Sequence, residues 1–341
     1  MKIFRRCSAI LAFALCSIAV PLTSLAQVPS VDPNSVIEGL PLPDLFFDRI
    51  AAENRPSQDG AEARNRGRAW LSVNDQIGTD RLVTAGLHEH DPQDIAEALN
   101  AAQYAFAHQT PDGNFADAMG YNAREQAGSV GGFTFYLAHS LLMLAQSPWF
   151  MQSAQTAQLR GQAQSLIVPF NRTLNWFIQQ ADLVRTDQAA TNRIMSYGGD
   201  YYLAGKLLSN GEAINIGRSF IEEAIDKQRS DGTFPEEGGF DSSYQNVSLS
   251  FGQVIFLQMP PSDPLRERLW AAIQRGVARE ALSVMPNGEI STVGNTRVHG
   301  GPGQHQVDSH TAVLAHAYYA EITGDPNARQ AVQSILGYYF P

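Results

Sequence analysis

The sequence predicts an all-α protein whose helical hairpins form a ring, an α/α toroid. Apolar residues recur at helical spacing through most of the chain after residue 60, as Ile95, Leu99 and Phe106 illustrate. No segment shows the sustained alternation of apolar and polar residues that is typical of a half-buried strand. Turns of the Asp-Gly or Asn-Gly type recur at intervals that fit a repeat of about 55 to 60 residues.

The repeat predicts how the ring is built. Gly113, Gly232 and Gly288 each stand in such a turn and are followed two residues later by Phe or Ile, with a weaker copy near residues 180–182. At two helices a repeat, the chain would hold about five to seven hairpins. Each hairpin needs neighbours on both sides to bury its apolar faces. We therefore expect a closed or incomplete barrel, with inner helices lining a funnel and loops on one rim.

Helix starts and the lead-in can be placed from local signals. Asp91-Pro92, Asp263-Pro264 and Asp325-Pro326 each combine an N-cap residue with proline in the first turn. Residues 133–146 are apolar nearly all round, which favours an inner helix. Residues 27–60 contain several prolines and are predicted to be an extended lead-in, with Phe46 and Phe47 docking on the body. Residues 61–341 are predicted to form one catalytic toroid domain.

The first 26 residues have the composition of an export signal. A basic start is followed by the apolar residues 10–20 and by Ser24-Leu25-Ala26. Both cysteines, Cys7 and Cys16, lie in this segment, so the mature chain would have no disulfide and no thiolate chemistry. The net charge of −10 would become about −13 after cleavage. We expect a periplasmic or secreted monomer that binds neither nucleic acid nor, after cleavage, membrane.

One short motif carries a resemblance to known proteins. The pattern Gln-x-x-Asp-Gly-x-Phe follows a helix at residues 109–115 and again at 228–234. It resembles the repeat of α/α toroids, which include terpene cyclases, prenyltransferase-like proteins and several polysaccharide lyases. Asp231-Gly-Thr-Phe234 followed by Tyr244 also resembles toroid lyases that act on alginate, glucuronan and chondroitin-type chains. Several of those lyases have a Gln-His pair between these two elements; here the His is missing, and Pro235-Glu236-Glu237 stand in its place.

The residue types at these loops fit β-elimination of a uronate-containing chain, of the glucuronan or alginate type. In that reaction the carboxylate is neutralised, a base removes the C5 proton, and an acid protonates the leaving oxygen. We predict Tyr244 as the acid/base and His305 as its partner or the base, with Arg297 and Asn192 neutralising the carboxylate. The predicted substrate-binding residues are Gln245, Arg193, Glu237, Asp241, His299, His310 and Tyr197.

Two other functions remain open from sequence alone. A glycoside hydrolase would use two carboxylates, for which Glu237 and Asp241 are candidates. A non-catalytic toroid would only bind a glycan. The spacings of the histidines after residue 298 match no compact zinc site, so we expect neither a metal nor another cofactor. Asp231–Phe234 themselves are interpreted as a repeat corner, with the Phe side chain in the core.

Overall fold

The computed structural model describes residues 28–187, 189–297 and 307–341. These residues form helices and isolated β-bridges but no β-strand. Short 3-10 helices occupy Ala63–Asn65 and Val73–Asp75. The α-helices of the described residues are, in chain order, α1 (Pro33–Glu38), α2 (Asp44–Asn54), α3 (Thr79–Glu89), α4 (Pro92–Ala107), α5 (Ala123–Gln146), α6 (Pro148–Gln152), α7 (Ala157–Ser165), α8 (Ile167–Ile178), α9 (Ala181–Val184), α10 (Thr191–Leu208), α11 (Gly211–Lys227), α12 (Ser242–Gln258), α13 (Pro264–Ala281), α14 (Ser309–Thr323) and α15 (Pro326–Tyr339).

Helix contacts show an inner layer and an outer layer. The inner helices α3, α5, α10, α12 and α14 pack against one another in that order, and α4, α8, α11, α13 and α15 pack behind them. At the seam between the first and last inner helices, α1 contacts α14 and α2 packs on α3. The predicted α/α toroid is therefore confirmed. Its inner layer contains α5, which is long and apolar enough to cross a membrane, although 83% of its most apolar window is buried inside the protein.

The repeated glutamine of the motif ties each corner to the next outer helix. Gln109 donates from Nε2 to the Pro169 carbonyl (2.8 Å), and its Oε1 accepts from Arg172 Nη2 (2.7 Å). Gln228 makes the matching bonds, from Nε2 to the Ala272 carbonyl (2.8 Å) and from Arg275 Nη2 to Oε1 (2.7 Å). The same chemistry in two places confirms the repeat that the sequence predicts.

The glycine of each corner has no room for a side chain. Gly232 has φ +90°, and a Cβ there would overlap the carbonyl oxygen of Arg275. Gly113 has φ +98° and meets the Arg172 carbonyl in the same way. The turn therefore requires both the left-handed conformation and the close approach that only glycine allows. Asp231–Phe234 are thus a structural corner, as predicted from their sequence.

The prediction of an extended lead-in was wrong. Residues 28–60 contain α1 and α2, and Asp32 caps α1 by accepting the Ser35 N–H at 3.0 Å with Pro33 in the first turn. Pro43 directly precedes α2. Proline is compatible with a helix start because its missing N–H has no intrahelical partner there. Phe46 and Phe47 are buried in the body, as expected.

Candidate active site

The inner helices all begin at the rim that carries the long loops. The loops before α5, α12 and α14 follow the outer helices α4, α11 and α13, whereas those before α3 and α10 follow α2 and α9. Helix N-termini carry unpaired N–H groups and the positive end of the helix dipole, so a ring of them favours an anion. The rim is therefore electropositive in its backbone, although the whole chain carries a net charge of −10.

Three of the five inner helices carry an arginine within their first three residues. These are Arg81 in α3, Arg124 in α5 and Arg193 in α10. A cation at a helix N-terminus is electrostatically unfavourable, and acidic residues are the usual choice there. Arg193 is compensated by Asp187 (Nη1–Oδ2 2.8 Å) and Arg81 by Asp308 (Nη2–Oδ2 3.5 Å). Arg124 is exposed and has no ion-pair partner within residues 28–187, 189–297 and 307–341.

An open cavity of about 380 Å³ lies between the starts of α5 and α10, and we call it the rim cleft. Small residues on α5, including Gly128 and Gly132, leave space opposite the polar side chains. The burial of Tyr197 in its wall raises the pKa of that phenol. The complete lining is Asn74, Tyr121, Arg124, Glu125, Gly128, Ser129, Gly132, Asp187, Arg193, Ser196 and Tyr197.

A second cluster lies where α12 begins. Arg297 pairs with Glu236 (Nη1–Oε1 2.8 Å), and its guanidinium carbon lies 4.4 Å from the centre of the Tyr244 ring. Burial raises the pKa of Glu236 to about 7, against the opposing charge of Arg297. Burial also raises the pKa of Tyr244, and Arg297 again opposes the shift. We call these three residues the tyrosine cluster.

The loops join the rim cleft to the tyrosine cluster. The Thr191 N–H donates to the Pro235 carbonyl (3.1 Å), and the Glu237 N–H donates to the Ala189 carbonyl (3.0 Å). These bonds hold the start of α10 beside the segment that contains Glu236. The positive charge of Arg193 lowers the pKa of both Glu236 and Tyr244, against the effect of burial. Arg193 therefore lines the rim cleft and also acts, through its charge, on the tyrosine cluster.

Gln245 and Asp241, both predicted to bind substrate, hold the protein together instead. Gln245 is fully buried; its Oε1 accepts the Phe234 N–H (2.9 Å), and its Nε2 donates to the carbonyls of Gly232 and Gly276. Asp241 is also fully buried and caps α12, accepting the backbone N–H of Tyr244 (3.2 Å) and of Arg297 (3.3 Å). Because both oxygens of Asp241 are occupied, the pair Glu237 and Asp241 lacks the free carboxylate that a hydrolase requires.

The remaining predicted residues lie in several environments. Asn192 and Arg193 lie in the first turn of α10. The Asn192 side chain is buried, and its Oδ1 accepts no hydrogen bond from the described residues. Glu237 is half exposed, has φ +48° and lies 3.4 Å from Arg297 Nε. The structure thus brings Tyr244, Arg297, Glu237, Arg193, Asn192 and Tyr197 to one side of the rim.

The histidines give a different result. His310 packs between Phe46 and Phe340, with Nε2 3.3 Å from Glu53, so its ring lies in the seam beside α2 and not in the lining of the rim cleft. His299 and His305 lie outside the described residues. Within the described residues, no group of three or more His, Cys, Asp or Glu side chains could hold a metal ion.

Sequence reasoning missed Arg124, Asp187 and Glu236. A usable signal for Arg124 was present, because Asn122 and Glu125 form a capping box that marks the start of α5. An arginine between these two residues contradicts the preference for acids in a first turn. Glu236 gave no such signal, since its burial depends on Arg297 from another loop.

Comparison with known proteins supports the fold. No protein-family model and no curated protein sequence matches the chain. Among solved structures, it is similar to a mutant unsaturated glucuronyl hydrolase from Streptococcus agalactiae (TM-score 0.53, 11% identity, 91% of this chain and 82% of that one). It is also similar to the chondroitin AC lyase of Streptomyces coelicolor A3 (TM-score 0.52, 14% identity, 89% of this chain). The chain spans only 41% of that lyase. At this identity the likenesses establish the α/α-toroid fold alone.

Proposed function

We propose that this protein is an exported enzyme that cleaves a uronate-containing polysaccharide by β-elimination. The observation that carries the proposal is the placement of Arg124 and Arg193 in the first turns of two inner helices, both lining the rim cleft. Two guanidinium groups beside two helix N-termini form a site for an anion. The solved structures of similar fold include a lyase in complex with chondroitin sulphate, which agrees with an acidic glycan.

In the proposed complex the uronate carboxylate accepts hydrogen bonds from Arg124 and from the nitrogens of Arg193 other than Nη1, which stays paired with Asp187. Asn192 supplies an amide from the same turn as Arg193. Arginine binds a carboxylate in a planar, bidentate geometry. Neutralising the carboxylate stabilises the carbanion-like state that develops at C5, which makes the C5 proton easier to remove. Tyr197, which forms part of the wall of the rim cleft, orients the sugar ring.

Tyr244 is the proposed acid/base. Its phenolate removes the C5 proton, the electron pair forms the C4–C5 double bond, the C4–O bond breaks, and the phenol returns the proton to the leaving oxygen. Burial disfavours the phenolate, but the guanidinium of Arg297 at 4.4 Å from the ring favours it. Arg297 would thus activate Tyr244, and Glu236 would hold Arg297 in place through its 2.8 Å ion pair.

Hydrolysis is the second candidate, because the pKa of Glu236 is raised to about 7, a value suited to a general acid or base. A hydrolase also needs a second, uncommitted carboxylate across the substrate. The carboxylates in the rim cleft are engaged, since Asp187 pairs with Arg193 and Glu125 accepts the Asn122 N–H at 3.0 Å. Elimination, which needs phenol and guanidinium groups, therefore fits the lining better.

The test is to incubate the protein with glucuronan, alginate, pectate and chondroitin. The ultraviolet absorbance of unsaturated uronate and the release of reducing ends are followed together. Elimination predicts that both signals rise in proportion. Reducing ends without the absorbance would replace the lyase assignment with hydrolysis. Neither signal, combined with retention of the protein on an acidic glycan column, would leave a binding function only.

A further inference from the structure

A second cavity lies at the centre of the ring, apart from the rim cleft. It has a volume of about 200 Å³ and lies among α3, α5, α12 and α14. The two spaces are adjacent along α5, because Gly132 lines the rim cleft and Tyr136 lines the central cavity. Four residues of helix separate these side chains by about 6 Å along the axis. The two cavities therefore lie next to each other along α5, about one helical turn apart.

The walls of the central cavity are aromatic on one side. The rings of Phe135 and Phe251 meet edge to face at 4.7 Å between centroids, and Tyr136 lies 6.4 Å from Phe251. Burial raises the pKa of the Tyr136 phenol, and Arg81 opposes the shift. Aromatic faces with a few polar groups are typical of sugar-binding pockets. The volume suits a single ring better than a longer segment.

Charged groups occupy the rim end of this cavity. Asp80 lines it and contacts His139 (Oδ1–Nδ1 2.5 Å), while Arg81 contacts Asp308 (Nη2–Oδ2 3.5 Å). Two carboxylates therefore face the space beside one guanidinium that is already paired. Carboxylates accept hydrogen bonds from sugar hydroxyls but repel a second carboxylate. The rim cleft differs in holding two guanidinium groups, and one of them, Arg124, has no ion-pair partner among the residues that the structure describes.

We infer that the central cavity binds a neutral sugar unit next to the uronate held in the rim cleft. The inference rests on the proposed function, and it specifies the substrate as a chain in which uronate and neutral or N-acetylated sugars alternate. Asp80 accepts hydroxyl hydrogen bonds from that unit, and Phe251 and Tyr136 cover its apolar face. A polyuronate places a carboxylate against Asp80 and is the poorer substrate.

The experiment compares kcat/KM on chondroitin or hyaluronan with kcat/KM on glucuronan and alginate. The variants are Asp80→Asn, which keeps the shape, and Ser250→Trp, which fills the cavity. Asp226→Asn, on the outer helix α11, is the matched control. We expect the alternating polymers to be preferred, and Asp80→Asn to lower that preference about tenfold to a hundredfold, as for loss of a charged hydrogen bond. Equal preference for polyuronates, or an unchanged preference in both variants, overturns the inference while leaving the lyase proposal intact.

A binding measurement separates the two proposals. Saturation-transfer NMR with methyl β-glucoside, a neutral probe, should show a signal that Ser250→Trp abolishes and Arg193→Ala retains. If no polymer is cleaved but this pattern is found, the proposed function fails and the central sugar site stands. If wild type gives no transfer to the neutral probe but does to methyl β-glucuronide, the assignment of a neutral sugar is wrong.

Discussion

The guanidinium carbon of Arg297 lies 4.4 Å from the centre of the Tyr244 ring. The contact joins the first turn of α12 to a loop that is distant in sequence. The ion pair between Arg297 and Glu236 and the hydrogen bond from the Arg297 N–H to Asp241 hold it in place. The positive charge of a guanidinium is attracted to the face of a phenol ring, which stabilises the contact. The same charge favours loss of the hydroxyl proton and so lowers the pKa of the phenol. This relationship links the fold of the corner loop to the chemistry proposed for the rim.

Tyr244→Phe should slow elimination strongly while leaving the fold intact. The ring and its contact with Arg297 remain, but the hydroxyl that transfers the proton is lost. We expect kcat to fall by about a hundredfold or more, within the range for general acid–base catalysis. The measurement is the rate of unsaturated uronate formation, with a thermal melt to verify folding. Tyr338→Phe, on the exposed face of α15, is the control, and full activity in Tyr244→Phe would contradict the assignment.

Arg124→Ala should weaken substrate binding without a loss of stability. The side chain is exposed, has no ion-pair partner within the described ranges, and opposes the dipole of α5. We expect KM to rise about tenfold or more, as for a lost charged hydrogen bond, and the melting temperature to stay unchanged or rise. Arg268→Ala, on the outer helix α13, should leave KM unchanged. A lower melting temperature in Arg124→Ala would indicate a structural role instead.

The parts of the fold that are determined by residues close together in the sequence were predictable from it. Asp-Pro pairs identified helix starts because cap and first turn are only residues apart. The glutamine-glycine corner was recognisable because its residues recur in order. By contrast, α10 begins at Ala190-Thr191 without a side-chain cap, so no local signal marked its start.

The site was less predictable, because its residues acquire their roles from distant segments. Gln245 was predicted to bind substrate. Its side-chain amide instead donates hydrogen bonds to the Gly276 carbonyl on α13 and to the Gly232 carbonyl in the corner. His310 was predicted to bind substrate, yet Phe46 and Phe340, from opposite ends of the chain, enclose it. Such roles follow from closure of the ring and leave no local pattern.

Gln245→Ala should therefore impair stability more than catalysis. The change removes three hydrogen bonds in a buried corner and leaves the Phe234 N–H and two carbonyls without their partner. We expect a loss of about 2–5 kcal/mol in the free energy of unfolding, with KM changed less than about threefold at temperatures where the variant is folded. Gln126→Ala, in the corresponding position of α5, should lose stability similarly. A large rise in KM with normal stability would restore the binding role first predicted for Gln245.

Stability should fall as pH rises, owing to a buried carboxyl away from the site. Burial raises the pKa of Glu62 to about 7 from 4.5, because the Gly78 N–H only partly stabilises the charge. The folded state thus binds the proton more tightly than the unfolded state, so the contribution is full below about pH 4.5 and disappears as pH passes about 7. The shift corresponds to roughly 3 kcal/mol. Denaturant unfolding of wild type and Glu62→Gln at about pH 5 and about pH 8 should show a smaller pH dependence in the variant, and identical dependence would exclude Glu62 as a source.

Gly232→Ala should lower the free energy of unfolding more than Gly238→Ala, although the two glycines have similar φ angles. Gly232 and Gly238 have φ +90° and +85°, but a Cβ at Gly232 would overlap the Arg275 carbonyl, whereas one at Gly238 would meet nothing within 4 Å. Left-handed backbone alone costs about 1–2 kcal/mol for alanine, and the overlap adds about 1–3 kcal/mol. Denaturant titration of both variants gives the difference directly. Equal losses would mean that the corner can move away from α13, and the repeat would then depend on backbone conformation rather than on close packing.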